Sequence, residues 1–291
     1  MAFTLSTDRS CDIFCSDLDR RGIKYISQVY TIDEVPHVDD FDNDGQYKGF
    51  YDLIRDGKMP TTSQINIAEH EEFFEKVLSE CEGDLLHITL SSGLSSTYQS
   101  ALTAAANVNE RLGKTRVYVL DSLAATSVQR LVVDEAERLR DEGLSAAEAL
   151  EKMNYITKHI SVRFMPTDLM HLKRGGRVSG ASAVIGTALR IKPILCINKE
   201  GGLSIVTKKI GVAAGVAYMA DFFKQFNGAS TKRVYLPTAD NWEVAETLKA
   251  KILEIRPDCE VIIGWVGPVI GAHTGAGMVG CTFVSDKERD I

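Results

Sequence analysis

The sequence predicts an α/β protein of two domains, and three observations lead there. Strand-like runs alternate with helix-period segments from residue 84, and the texture changes after about residue 160. The chain's 291 residues, 44% of them hydrophobic, suit two domains with substantial cores. Alternating strands and helices require crossover connections and hence a parallel sheet.

In the first half, LLHITL reads as a strand, STYQSALTAAANVNERL as a helix, RVYVLD as a second strand and ATSVQRLVVDEAERLRDEG as a second helix. A third helix follows at SAAEALEKMNYITKH, opened by the capping-box pair Ser145 and Glu148. Before residue 80, short strands are expected near Phe3 to Leu5 and Lys24 to Val29, with a helix through EHEEFFEKVL. The second half opens with PILCINK and LSIVTKK on either side of Glu200-Gly201-Gly202, a hairpin signature. It continues with a helix at 211–226, the strand TKRVYLP, a helix opened by Asp240 with Glu243 as a second capping box, and the strands CEVIIGW and CTFVS. The expected division is 1–160, an α/β domain, and 161–291, an α+β domain.

Charge and cysteine use exclude several classes. A net charge of −7 argues against general binding to nucleic acid. Residues 161–209 hold nine Lys or Arg against two acids, a local +7, which reads either as solvated loops or as a docking face for an anionic partner. Six scattered cysteines and no basic-then-apolar opening segment fit a cytoplasmic chain with free thiols. No run of about 18 apolar residues is present, so no membrane span is expected.

Several motifs fail on their own mechanics. GAGMVG at 275–280 has the letters of a dinucleotide fingerprint but is followed by a strand rather than a helix; its glycines read as a tight loop near a ligand or another strand. Asp40, Asp42, Asp44 and Gly45 resemble half a calcium loop, yet Tyr51 stands where the closing Glu belongs, so an acidic surface turn is expected. No His or Cys set has zinc spacing and no Walker A sequence occurs, so no metal and no cofactor are expected.

The segment ITLSSGLSSTYQSA at 88–101 places Ser91, Ser92, Ser95, Ser96 and Thr97 at the carboxyl end of an expected parallel strand, leading into a helix. Ligands bind there in open α/β sheets, and a helix amino terminus offers N–H donors to an anion. The hydroxyls could serve a nucleophile, a phosphate cradle, a carboxylate clamp or a helix cap. A serine hydrolase using Ser92 or Ser95 with His273 of GAHTGAG is one alternative, although the G-x-S-x-G elbow is absent.

Taken together, TDRSCDI at 7–13, PTTSQ at 60–64, SSGLSSTYQSA at 91–101, LKRGGRVSGASAVIGTALRIKPIL at 172–195 and GAHTGAG at 271–277 resemble the DegV-like family of bacterial fatty acid-binding proteins, carriers for fatty acid kinase. The resemblance runs from one end of the chain to the other. It implies an amino-terminal parallel-sheet, Rossmann-like domain and a carboxyl-terminal α+β domain with a lipid slot between them. It also implies a long-chain fatty acid as the ligand, and a carboxylate clamp at Thr62, Ser91, Ser92, Ser95, His273 and Thr274. Lys173, Arg174 and Arg177 would form a basic loop for docking the kinase or an anionic membrane. A lipid-binding carrier, rather than an enzyme, is thereby implied, with phosphorylation to acyl phosphate left to the separate kinase. The chain departs from the family pattern at Arg9, where a small hydroxyl residue is usual, and at Ile65, Ser96 and Ala276, where Pro, Gly and Pro are usual.

Overall fold

Four short strands, β1 (Thr4–Asp8), β2 (Lys24–Ile26), β6 (Leu85–Thr89) and β7 (Val117–Asp121), pair in parallel in the order β2-β1-β6-β7. Every residue of β6 is buried, as expected of a central parallel strand covered on both faces. Helices α3 (Ile67–Glu80) and α4 (Thr97–Leu112) cover one face. On the other lie α5 (Thr126–Asp141) and α6 (Ala146–Ile156). The computed structural model describes residues 3–167, 169–178 and 190–291. Residues 179–189 of the long motif at 172–195 therefore lie outside the described residues.

A second sheet is mixed: β8 (Ile160–Met165), β9 (Ile191–Ile197), β10 (Leu203–Ile210), β11 (Arg233–Thr238), β12 (Glu260–Trp265) and β13 (Val279–Val284) run in the order β10-β9-β8-β13-β11-β12. Its outer face packs on α8 (Val212–Phe226) and α9 (Trp242–Ile255), through residues such as Phe223, Leu248 and Phe283. Its inner face meets α5, which touches β8, β11 and β13 as well as β1. One buried cluster accordingly runs from Leu5 and Leu86 to Phe164 and Leu195. Asp134 on α5 reinforces this junction, accepting from Arg21 at 2.7 Å and from the hydroxyl of Tyr235 on β11 at 2.7 Å.

Local signals explain much of this order. Both bonds of the Ser145–Glu148 capping box form, and Asn66 with Glu69 makes a second one at the start of α3. The hairpin between β9 and β10 closes where expected, with Gly201 at φ +78°, a conformation glycine adopts without strain.

Two expectations need correction. The box expected at Asp240 does not form: Asp240 sits at φ +61° and gives its carboxylate to Arg55 at 2.6 Å. Asn241 is the cap residue of α9 instead, and its side-chain amide is spent on the carbonyl of Gly277 at 3.0 Å. The acidic turn at 40–45 is the entrance to a helix, α2 (Asp44–Arg55), capped by Asn43. There Asp42 accepts from the backbone of Ser16 and Asp44 from the indole of Trp265, so these acids tie segments together. The GAHTGAG segment contains a short helix, α10 (Pro268–Thr274), and the glycines that follow form the expected tight turn before β13. Pro268 at its first position is pre-organised for a helical start, and a Cβ on Gly271 would lie 2.7 Å from the Tyr51 hydroxyl, so glycine lets α10 press against α2.

A small antiparallel sheet, β3 (Val29–Ile32), β4 (Val35–Val38) and β5 (Thr61–Thr62), completes the structure together with α1 (Cys15–Arg20) and α7 (Met170–Gly175). Arg9, the departure in the first family motif, is fully buried. It donates to the carbonyls of Ile13 and Phe41 and faces Asp39 at 3.6 Å. Burial pushes the Asp39 carboxyl up to about 6, against the opposing pull of Arg9. Arg9 thus joins the end of β1 to the segment that enters α2. Breaking such a buried pair costs on the order of 3–5 kcal/mol, because one charge is left without its partner. All six cysteines are free.

Candidate functional site

The carboxyl ends of the parallel strands point toward the inner face of the mixed sheet, and a cleft partly open to solvent lies between them. One side is formed by segments that follow the parallel strands: Gln28 after β2, Leu90, Leu94, Ser95 and Thr97 after β6, and Ala125, Thr126 and Val128 after β7. Opposite stand Val162, Phe164, Ile197, Leu203 and Pro237 of the mixed sheet. The small sheet contributes Thr62 to Gln64, and α10 contributes Val269, Ile270, His273 and Thr274.

The hydroxyls of Thr62, Ser95, Thr97 and Thr274 and the imidazole of His273 line this cleft. Thr62 Oγ1 and His273 Nε2 lie 2.8 Å apart, joining β5 to α10 across 211 residues of sequence. Ser95 and Thr97 share a hydrogen bond of 2.9 Å, and Ser95 Oγ also accepts from the Thr97 backbone N–H at 3.2 Å, a local cap at the start of α4. Thr274 lines the cleft with its hydroxyl turned back to the carbonyl of Ile270. Arg177, just after α7, also lines the cleft; its Nε donates to the carbonyl of Leu94 at 3.2 Å, and Nη1 to that of Gly175.

Other expected site residues stand apart from this group. Ser91 is buried, but its hydroxyl donates to the carbonyl of Gly201 at 2.8 Å, binding the serine loop to the β9–β10 turn. Ser92 is exposed outside the cleft, with its backbone N–H held by Asp121. Lys173 and Arg174 are exposed on α7, and Arg174 reaches the sulfur of Met59. The basic segment is not one continuous face either, since Arg163 is buried beneath it, paired with Asp290 and stacked over Phe222 at 4.0 Å.

The structure shows no hydrogen-bonded Ser–His pair of the kind the hydrolase alternative would use. His273 pairs with Thr62, and no hydrogen bond joins it to Ser92 or Ser95. On the other ring edge, Nδ1 lies against Gly175, where an added Cβ would come within 2.2 Å, so no carboxylate orients the ring from that side.

Two residues that shape the site escaped sequence reading. Gly175 admits the His273 ring, and Asn241 holds the Gly277 backbone just beyond it. The doublet Gly175-Gly176 inside a basic helix end was the available signal for the first; nothing local marks the second.

Burial, followed by repulsion from Arg177 and His171, holds the His273 imidazole down at about 4, from an ordinary 6.5. The ring is therefore neutral at physiological pH. A depressed folded-state value means that this group's stabilisation is complete above 6.5 and is lost as pH falls from there through about 4. NMR titration of the ligand-free protein is expected to place the His273 midpoint near 4, and His273→Gln to flatten part of the stability loss across that interval. A midpoint near 6.5 would contradict the buried, cation-flanked environment.

Residues 2–286 match a family model described as "Uncharacterised protein, DegV family". Among curated relatives, the DegV domain-containing protein CPE0026 of Clostridium perfringens is 32% identical, with 99% of each chain covered. The DegV domain-containing protein YteA of Lactococcus lactis is likewise 32% identical over 100% of both chains. Among solved structures, a DegV family protein from Thermus thermophilus described for its fatty acid binding superposes with a TM-score of 0.86 at 28% identity, covering 98% of this chain and 100% of that one. DegV from Bacillus subtilis, a fatty acid binding protein, gives a TM-score of 0.83 at 25% identity over 98% and 100%. With the same two-sheet architecture and a family match spanning nearly every residue, this chain belongs to the DegV family.

Proposed function

We propose that the cleft binds a long-chain fatty acid and that the protein presents its carboxylate to a partner kinase for conversion to acyl phosphate. The observation that carries this reading is a predominantly apolar cleft with Thr62, Ser95, Thr97 and His273 gathered at it. A carboxylate leaving water needs charge-assisted donors; the hydroxyls and the imidazole N–H supply them, and Arg177 adds a cation nearby. Thr274 would join the clamp by turning its hydroxyl away from Ile270. The fatty acid binding described for the Thermus thermophilus and Bacillus subtilis relatives supports the same ligand class.

Tail burial dominates the energetics of this reading. An acyl chain of about 16 carbons at about 0.8 kcal/mol per buried CH₂ gains on the order of 10 kcal/mol gross, before association and ordering costs are subtracted. Functionally, residues 1–160 supply Thr62, Ser95 and Thr97 and residues 161–291 supply His273, Thr274 and the basic loop, so the ligand is enclosed by both divisions. Ser91 serves in this scheme by fixing the loop that carries Ser95, and Ser92 lies outside the clamp.

The protein acts as a carrier without catalytic residues or a cofactor of its own, in the cytoplasm. An ATP-using kinase would perform the phosphoryl transfer. Lys173 and Arg174, exposed beside Arg177 at the cleft, are the docking candidates for that kinase or for an anionic membrane.

Mass spectrometry of the protein purified from a bacterial host should find long-chain fatty acid bound near one per chain. Thr62→Ala should weaken retention roughly tenfold, the cost of losing about one charge-assisted hydrogen bond. A protein that arrives empty and binds no fatty acid in calorimetry would overturn the ligand assignment. For presentation to the kinase, Lys173→Glu with Arg174→Glu should slow acyl phosphate formation by a fatty acid kinase while leaving acid binding unchanged. Unaltered phosphorylation would remove these residues from the docking face.

A further inference from the structure

The cleft wall carries a polar group that the carboxylate clamp does not use. Gln28, which follows β2, lines the cleft and is only 2% exposed. Its side-chain Nε2 donates to Ser10 Oγ at 2.5 Å, and its backbone carbonyl accepts from Asp39 at 2.9 Å. The Ser10 hydroxyl in turn hydrogen-bonds the Asp8 carboxylate, which spends its single proton and leaves it an acceptor toward Gln28. Gln28 Oε1 is thereby buried without a partner.

Among the described residues, no other side chain lining the cleft has a buried polar atom in this condition. Native proteins pair nearly all such groups, so an orphan at a cleft wall points to a donor that arrives with the ligand. Gln28 is already bonded on its protein side, to Ser10 and Asp39, which leaves the cleft as the side open to a further partner. A plain methylene chain passing this wall carries no donor and would seal the carbonyl in place unpaired. The position of Gln28 along the wall follows from the small sheet. Tyr30 pairs with Thr62, and the Ser63 N–H donates to the carbonyl of Val29 at 3.1 Å, continuing that pairing. Gln28 therefore lies two residues, roughly 7 Å, beyond the Thr62 row. A chain whose carboxylate sits at Thr62 and His273 meets Gln28 in its carboxyl-proximal half.

We propose that the cleft selects a hydroxylated long-chain fatty acid, whose hydroxyl, borne on the carboxyl-proximal part of the chain, donates to Gln28 Oε1. The inference rests on the reading of the cleft as an acyl site and narrows its ligand class. The Thr62–His273 end takes the carboxylate and Gln28 takes the hydroxyl, so two separated polar contacts set both the depth and the rotation of the chain. A site with a buried acceptor disfavours the analogue that lacks the matching donor, because binding that analogue leaves the acceptor unpaired.

Calorimetric titration of the full chain with palmitate, 3-hydroxypalmitate and 16-hydroxypalmitate tests the proposal, using wild type, Gln28→Leu and Gln28→Met. In wild type, 3-hydroxypalmitate should bind roughly threefold to tenfold more tightly than palmitate, the worth of one hydrogen bond to a buried acceptor. The 16-hydroxy acid, with its hydroxyl at the far end, should show no such gain. Both variants remove the amide oxygen and should abolish the preference; Gln28→Met keeps the unbranched shape and keeps the test open if Gln28→Leu does not fold. Equal affinity of the wild type for palmitate and 3-hydroxypalmitate, the result if a bound water serves Gln28, would overturn the assignment while leaving the acyl site standing. A preference that persists in the variants would overturn it as well. Failure of the wild type to bind any of the three acids would instead sink the acyl reading itself.

Discussion

The 2.8 Å contact between Thr62 and His273 is the interaction on which the site depends. It ties a two-residue strand of the small sheet to a seven-residue helix, two elements too short to hold their positions by themselves. Each is anchored from behind: β5 pairs with β3, and α10 presses on α2 through Gly271, where the Tyr51 hydroxyl also donates to the carbonyl of Val266 at 2.6 Å. The imidazole stays neutral in this setting, so the pair offers hydrogen bonds without a fixed charge of its own. A carboxylate held this way would be neutralised less fully than one in a bidentate arginine pair.

Much of the architecture was legible because local preference and global packing agree. β6, α4, β7 and α5 follow from apolar runs alternating with helical periods, and the cap at Ser145 closes as its sequence says. Tertiary contacts decided elements that the local sequence does not mark. GAHTGAG has poor helix propensity, yet α10 forms because its glycines permit close packing on α2. Asp240 carries the signature of a helix cap but is drawn off by Arg55, a partner 185 residues away. The small sheet consists of strands of two to four residues, too short for periodicity to register.

The site was legible as a set of residue types at a strand end, but not as a division of labour. A cluster of five hydroxyls within seven positions looks uniform on paper. Folding separates it: Ser91 faces the β9–β10 turn, Ser92 faces solvent, and Ser95 with Thr97 faces the cleft. Spacing could not disclose this, because the loop doubles back at Ser91, whose carbonyl accepts from both Leu94 and Ser95. The basic loop divides in the same way, with Arg177 at the cleft and Lys173 and Arg174 outside it.

A crystal structure of the protein loaded with palmitate addresses the central claim most directly. The carboxylate is expected within hydrogen-bonding distance of Thr62, Ser95 and His273, with the tail running over Phe164 toward Val162 and Val128. A carboxylate lodged away from the Thr62–His273 pair, or a tail lying outside the space between the parallel strand ends and the mixed sheet, would contradict it.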